Sequence, residues 1–367
     1  MRKFVLSLSA VMAMAACKDS GSEKRETMEI KYPDTKKVDT IDTYFGQEVN
    51  DPYRWLEDDN SSETKDWVKE ENKVTFDYLE QIPYRKELEE RLTDLWNYEK
   101  IGVPNKRGDY VYFSKNDGLQ NQSVIYRYKK DEEPEDAEVF LDPNEFSKDG
   151  TTSLDGMSFS EDGNLLAYSI SEGGSDWRKV ILMDVESKEQ VEDTLTDIKF
   201  SGISWKGNDG FFYSSYDKPE GSELSAKTDQ HKLYYHKLGT SQSEDELIYG
   251  GSDDEKHRYV SGYVTEDDQF LVISASNATS GNNLFIKDLS EDDNKIVTVI
   301  ESDEANTSVL TSKDGKLYLV TDLDAPNNKI VTVDAKNPDQ KNWEEFIAET
   351  DNVLSPSTAN KYILPII

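Results

Sequence analysis

Tyr110-Val111-Tyr112-Phe113, then Asn116-Asp117-Gly118, then Ser123-Val124-Ile125-Tyr126 read as a β-hairpin: two runs of aromatic and β-branched residues around a turn of Asn, Asp and Gly. The pattern recurs. Turn glycines or acidic turn tips at Gly108, Gly163, Gly210, Asp268 and Gly315 each precede a short apolar strand, at spacings of 55, 47, 58 and 47. The five strands are Tyr110 to Phe113, Leu165 to Ile170, Phe211 to Ser214, Phe270 to Ile273 and Leu317 to Val320. A period near fifty built of short antiparallel strands is the signature of propeller blades, each burying its sheet against its neighbours around an axis. A pair of β-sandwiches competes, but the Cys and Trp pattern of an immunoglobulin sandwich is missing.

Upstream of the repeats the composition differs. Arg2 and Lys3, an apolar stretch from Phe4 to Met14, and Met14-Ala15-Ala16-Cys17 form a targeting segment, 1–17. Its end is similar to a bacterial lipobox, which implies lipidation at Cys17, export to the bacterial cell envelope and a membrane partner held by acyl groups; an ordinary secretory signal is the alternative. Cys17 is the only cysteine, so no disulfide forms within the chain. Residues 18–29 read as a polar tether. Residues 30–100 read as helical. Asn60 with Glu63 predicts a helix start, with Trp67, Val74 and Tyr78 on one face and Pro83 as the stop; a second helix fits Tyr84 to Tyr98, with Leu88, Leu92, Leu95 and Trp96 as its stripe. Both stripes are expected to be core. The chain has 42 Lys and Arg against 75 Asp and Glu, a net charge of -33, which excludes nucleic acid as a partner and favours solubility.

Asp51-Pro52-Tyr53-Arg54-Trp55-Leu56-Glu57-Asp58 reads as a rigid turn that presents Tyr53, Trp55 and Leu56 for docking, because Pro52 fixes its own φ and holds Asp51 extended. The run resembles the amino-terminal segment of prolyl oligopeptidases, serine peptidases that cut short peptides after proline. Gly118-Leu119-Gln120-Asn121-Gln122-Ser123, Leu141-Asp142-Pro143-Asn144, Phe159-Ser160-Glu161-Asp162-Gly163, Gly174-Ser175-Asp176-Trp177, Lys232-Leu233-Tyr234-Tyr235-His236 and Gln242-Ser243-Glu244-Asp245 resemble the same family in order. The similarity is dense from about Tyr32 to Gly250 and thins beyond. It implies a predominantly all-β fold: a seven-bladed type of β-propeller, here incomplete, over 101–367. A short helical amino-terminal segment belonging with an α/β-hydrolase domain would precede it.

The family's chemistry requires a serine on a sharp Gly-x-Ser-x-Gly turn, followed by Asp and His in a carboxy-terminal hydrolase domain. No such turn occurs; Gly202-Ile203-Ser204-Trp205-Lys206-Gly207 has the wrong spacing. His231, His236 and His257 all fall in the repeats, and no residue is assigned a catalytic role. Acidic turns such as Glu161-Asp162-Gly163-Asn164 lack calcium-loop spacing, so neither a metal nor any other cofactor is expected. Trp177 and Trp205 read as blade packing. Five blades fit between Ile101 and about Thr350, and the apolar run Tyr362 to Ile367 offers no recognisable strand partner. Two functions follow. One is the front part of an envelope-anchored prolyl oligopeptidase, inactive alone, whose substrate is an oligopeptide once the hydrolase domain is present; the other is a non-catalytic propeller lipoprotein that binds a peptide or protein.

Overall fold

In the computed structural model, residues 30–218, 228–291, 295–302, 304–359 and 362–364 are described. The segment containing Cys17 and the tether lies outside them. The chain divides into two compact units between Arg91 and Leu92.

The first unit begins with a hairpin of Ile41–Tyr44 and Gln47–Asn50 and a single 3-10 turn, Arg54–Glu57. Helix α1 follows at Ser62–Glu80, and α2 spans Arg85–Trp96, its residues from Leu92 onward belonging to the second unit. The cap is Ser61, one residue past the expected Asn60: its hydroxyl accepts the Thr64 amide at 3.1 Å, while Glu63 turns away to pair with Lys36 at 2.8 Å. The expected burial of the helix stripes is not found. Leu88, Leu92, Leu95 and Trp96 are 51, 55, 52 and 65% exposed, and among the described side chains of α1 only Thr64 is buried. Helical spacing of apolar residues makes a face that favours a partner; it does not supply one.

The second unit contains five antiparallel sheets, each a meander of four chain-consecutive strand positions. In the first sheet, Lys100–Ile101 and Asn105–Arg107 share the first position, followed by Tyr110–Asn116, Val124–Lys129 and Glu138–Leu141. The second runs Thr152–Phe159, Leu165–Glu172, Trp177–Asp184 and Leu195–Lys199. The third runs Ser204–Lys206, Gly210–Tyr216, His231–Lys237 and Glu246–Tyr249. The fourth runs Tyr259–Val264, Phe270–Ser276, Asn283–Asp288 and Ile296–Ile300. The fifth runs Thr307–Lys313, Lys316–Thr321, Lys329–Asp334 and Glu344–Ile347. Each of the five strands read from the repeat is the second strand of its sheet.

Period-two alternation explains why those strands are the apolar ones. Phe211 packs toward the second sheet with Val180, Leu182 and Leu195, while Phe212 packs toward the fourth with Leu271 and Ile273. Leu271 and Phe270 divide likewise between the third and fifth sheets. Tyr110, Tyr112 and Ile125 of the first sheet meet Leu166, Tyr168 and Met183 of the second. A sheet buried on both faces reads as a continuous apolar run, which is how propeller blades pack.

The turn tips behave as expected at four of five places, with φ of 53° at Gly108, 75° at Gly163, 54° at Asp268 and 75° at Gly315. In the third sheet Gly207 takes the left-handed conformation instead of Gly210, whose missing Cβ admits the His236 carbonyl. A further finding corrects the reading of the carboxy-terminal run: Ser357–Ala359 pairs antiparallel with Tyr362–Leu364, so a hairpin follows the fifth sheet.

Candidate functional site

His236 and His231 occupy one strand, and their surroundings define what this region can do. Ser241 and Glu244 form a capping box that winds Gln242–Glu244 into a short 3-10 turn and delivers Asp245 to the end of His236's sheet. Asp245 Oδ1 lies 2.7 Å from His236 Nδ1, and its Oδ2 accepts from the Tyr213 hydroxyl at 2.7 Å. From the second sheet's last connection, Glu192 Oε1 lies 2.8 Å from His236 Nε2, while its Oε2 accepts the Gly239 amide at 3.0 Å. His236 and Asp245 side chains are 1 and 2% exposed. Burial works against the charged imidazolium, but the hydrogen bonds and charges of Asp245 and Glu192 outweigh it and hold the pKa above its ordinary value. Burial and the bond to Asp245 push the Tyr213 phenol well up.

A general base needs one ring nitrogen facing the nucleophile it activates. His236 has none to spare. His231 has none either: its Nδ1 accepts the Val260 amide at 2.8 Å, its Nε2 lies 2.9 Å from the Lys199 carbonyl, and its ring stacks on Tyr216 at 4.3 Å. It therefore ties the second, third and fourth sheets together as a neutral ring, and burial pushes it down to about 4. His257 is held by the Glu255 carbonyl at 3.1 Å and Asn283 at 3.0 Å. The three histidines are structural links. Sequence spacing could not join His236 to Glu192, 44 residues away in an irregular connection.

The signature residues gather elsewhere. In each meander the hairpin between second and third strands lies at the same end as the connection to the next sheet. Gly118, with φ of 136°, donates its amide to Asn116, and the Asn116 side-chain amide donates to the Gln120 carbonyl at 3.0 Å. Asn121 reaches the Gly150 carbonyl at 3.0 Å, and Leu119 is left 54% exposed. Gln122 binds the second sheet's first strand, donating to the Thr152 carbonyl at 2.8 Å and accepting the Leu154 amide at 3.0 Å. In the equivalent hairpin of the second sheet, Ser175 Oγ accepts the Trp177 amide at 3.1 Å, Asp176 is exposed, and buried Trp177 lies under the Lys199 ammonium at 4.9 Å. Trp205 is buried in the core between second and third sheets, its indole donating to the Ser158 carbonyl at 2.9 Å.

In the first unit, Arg54 bridges Asp51 at 2.7 Å and also bonds Asp42, which pins the turn after Pro52 to the hairpin. The Trp55 indole donates to the Lys36 carbonyl at 2.9 Å. Trp55 and Leu56 are half-buried and Tyr53 is exposed. Among the described residues, no group of three His, Cys, Asp or Glu side chains could hold a metal ion.

Five face-packed four-stranded meanders joined by side-chain links define this unit as a β-propeller domain. The family model for the prolyl oligopeptidase N-terminal β-propeller domain matches residues 33–364, so the chain belongs to the prolyl oligopeptidase family. It is 54% identical over 352 residues to a prolyl endopeptidase of Elizabethkingia meningoseptica, covering 96% of this chain and 49% of that one. A solved prolyl endopeptidase structure superposes with a TM-score of 0.79 at 25% identity, covering 91% of this chain and 49% of that one. Prolyl oligopeptidase B from Galerina marginata, solved with a 35mer hydrolysis and macrocyclization substrate, gives 0.77 at 28% identity, covering 91% and 51%. The chain spans about half the length of the curated relatives it matches.

Proposed function

We propose that this chain is the amino-terminal and propeller portion of a prolyl oligopeptidase-type serine endopeptidase that cleaves proline-containing oligopeptides. The observation that carries the reading is the family match from residue 33 to 364, running through all five sheets. Catalysis is assigned to an α/β-hydrolase portion outside these 367 residues, because no Gly-x-Ser-x-Gly occurs in them and each histidine has both ring nitrogens engaged. The propeller then restricts access to peptides. The segment Asp51 to Leu56, with exposed Tyr53, and the unfilled face of α2 supply apolar surface for the hydrolase portion. Co-expression with the carboxy-terminal half of the Elizabethkingia relative is expected to give a complex that hydrolyses a glycyl-proline amide. Failure to co-purify, or a complex without proline-specific turnover, would contradict it.

We further infer that the protein is held in the bacterial envelope, lipidated at Cys17 and facing the periplasm or the cell surface. Its support is the Met14-Ala15-Ala16-Cys17 pattern after an apolar stretch. Cys17→Ser is expected to move the protein from the membrane to the soluble fraction; unchanged membrane association sinks the lipid anchor.

A further inference from the structure

Where the last strand of the third sheet meets the last two strands of the fourth, a cavity of about 580 Å³ opens between Tyr249, Asp254, Glu255, Phe285, Ile296 and Glu301. Three of its walls are carboxylates, and no Lys or Arg lines it. One Glu255 oxygen is fixed by the Gly250 and Gly251 amides at 3.1 and 3.0 Å, which orients the carboxylate. Both ring nitrogens of His257 are engaged within the wall, Nδ1 lying 3.1 Å from the Glu255 carbonyl and Nε2 3.0 Å from the Asn283 side-chain amide nitrogen.

Tyr249 makes this more than an acidic surface. The residue is only 4% exposed, its ring packing 5.2 Å from Phe285 and 6.1 Å from His257. Its hydroxyl has no hydrogen-bond partner among the described residues and shares the cavity with Glu255 and Glu301. Burial, then those two carboxylates, push the phenol up to about 12. The phenol oxygen opens into the cavity beside two carboxylates, where an occupant rich in N–H donors can bond all three.

The geometry also selects the kind of cation. Among the described residues no group of three His, Cys, Asp or Glu side chains could hold a metal ion, which directs attention to an organic cation. Several acceptors lining a cavity with aromatic walls suit a planar group with several N–H donors and a face that stacks. We propose that this cavity binds a guanidinium group, as the side chain of an arginine in a peptide, with Glu255, Glu301 and the Tyr249 oxygen accepting and the aromatic wall covering its face.

Titration calorimetry of the 367-residue chain with N-acetyl-L-arginine amide tests this against N-acetyl-L-citrulline amide, an uncharged near-isostere. A single saturable site is expected for the arginine probe, with citrulline weaker by about tenfold or more. Glu301→Gln and Tyr249→Phe should each weaken arginine binding by about threefold or more, while Glu89→Gln on exposed α2 leaves it unchanged. Glu301 is solvent-exposed, so its substitution reports binding even where Tyr249→Phe disturbs folding. A non-saturating response, equal binding of citrulline, or wild-type affinity in Glu301→Gln would assign the attraction to diffuse negative charge and overturn the proposal.

Discussion

Strand His231–Lys237 carries two buried imidazoles whose proton affinities are pulled in opposite directions. His231 folds as the neutral ring at about 4, against about 6.5 unfolded, so its contribution is complete above pH 6.5 and is lost as pH falls toward 4. At about 1.36 kcal/mol per pH unit that loss approaches about 3 kcal/mol. His236 is raised, so its contribution is complete below pH 6.5 and is lost as pH rises through its folded value. Urea midpoints measured from pH 4 to 9 are expected to show both limbs. His236→Gln should abolish the alkaline limb alone and cost about 3–5 kcal/mol at neutral pH, because Asp245 and Glu192 then stay buried without a cation. An alkaline limb that survives in His236→Gln contradicts the assignment.

Turn tips illustrate how packing decides the cost of one methyl group. Gly163 has φ of 75°, and a Cβ there would come within 2.4 Å of the Gly108 amide nitrogen, backbone against backbone between the first two sheets. Gly173 has φ of 60° but open space around it. Gly163→Ala should therefore destabilise by about 3 kcal/mol and Gly173→Ala by about 1 kcal/mol, read from chemical denaturation. Equal losses would mean that only φ matters.

Symmetric burial leaves a legible pattern in the sequence, and one-sided or absent burial does not. Phe211 and Phe212 face different sheets, so the second strands stand out as apolar runs. Edge strands such as Asn105–Arg107 and Ser204–Lys206 are three residues long, the former fully exposed, and leave no pattern. The stripe of Leu88, Leu92 and Leu95 gave the helix correctly but not its burial, because periodicity records a face and not what covers it. At the histidines, residue type was legible and role was not. Glu192 reaches His236 from an irregular connection, a pairing that only the sheet-to-sheet packing creates.

At the scale of the molecule, the alternation that buries the second to fourth sheets on both faces leaves one face of each flanking sheet turned away from the others. Phe113, Tyr126 and Tyr128 line a hollow of about 360 Å³ with Ile101 and Pro104 on the first sheet; Tyr318 and Phe346 line one of about 820 Å³ on the fifth, with Ile363 of the following hairpin at its edge. These are surfaces of the kind that neighbouring blades cover in a propeller. They agree with a chain that spans about half the length of its relatives. On the proposed reading, these 367 residues build a propeller portion and the catalytic centre lies outside them. Hydrolysis of a glycyl-proline fluorogenic amide by the purified chain tests it most directly. No turnover above the blank is expected; turnover that persists through purification and is abolished by a serine-reactive phosphonate would overturn that reading.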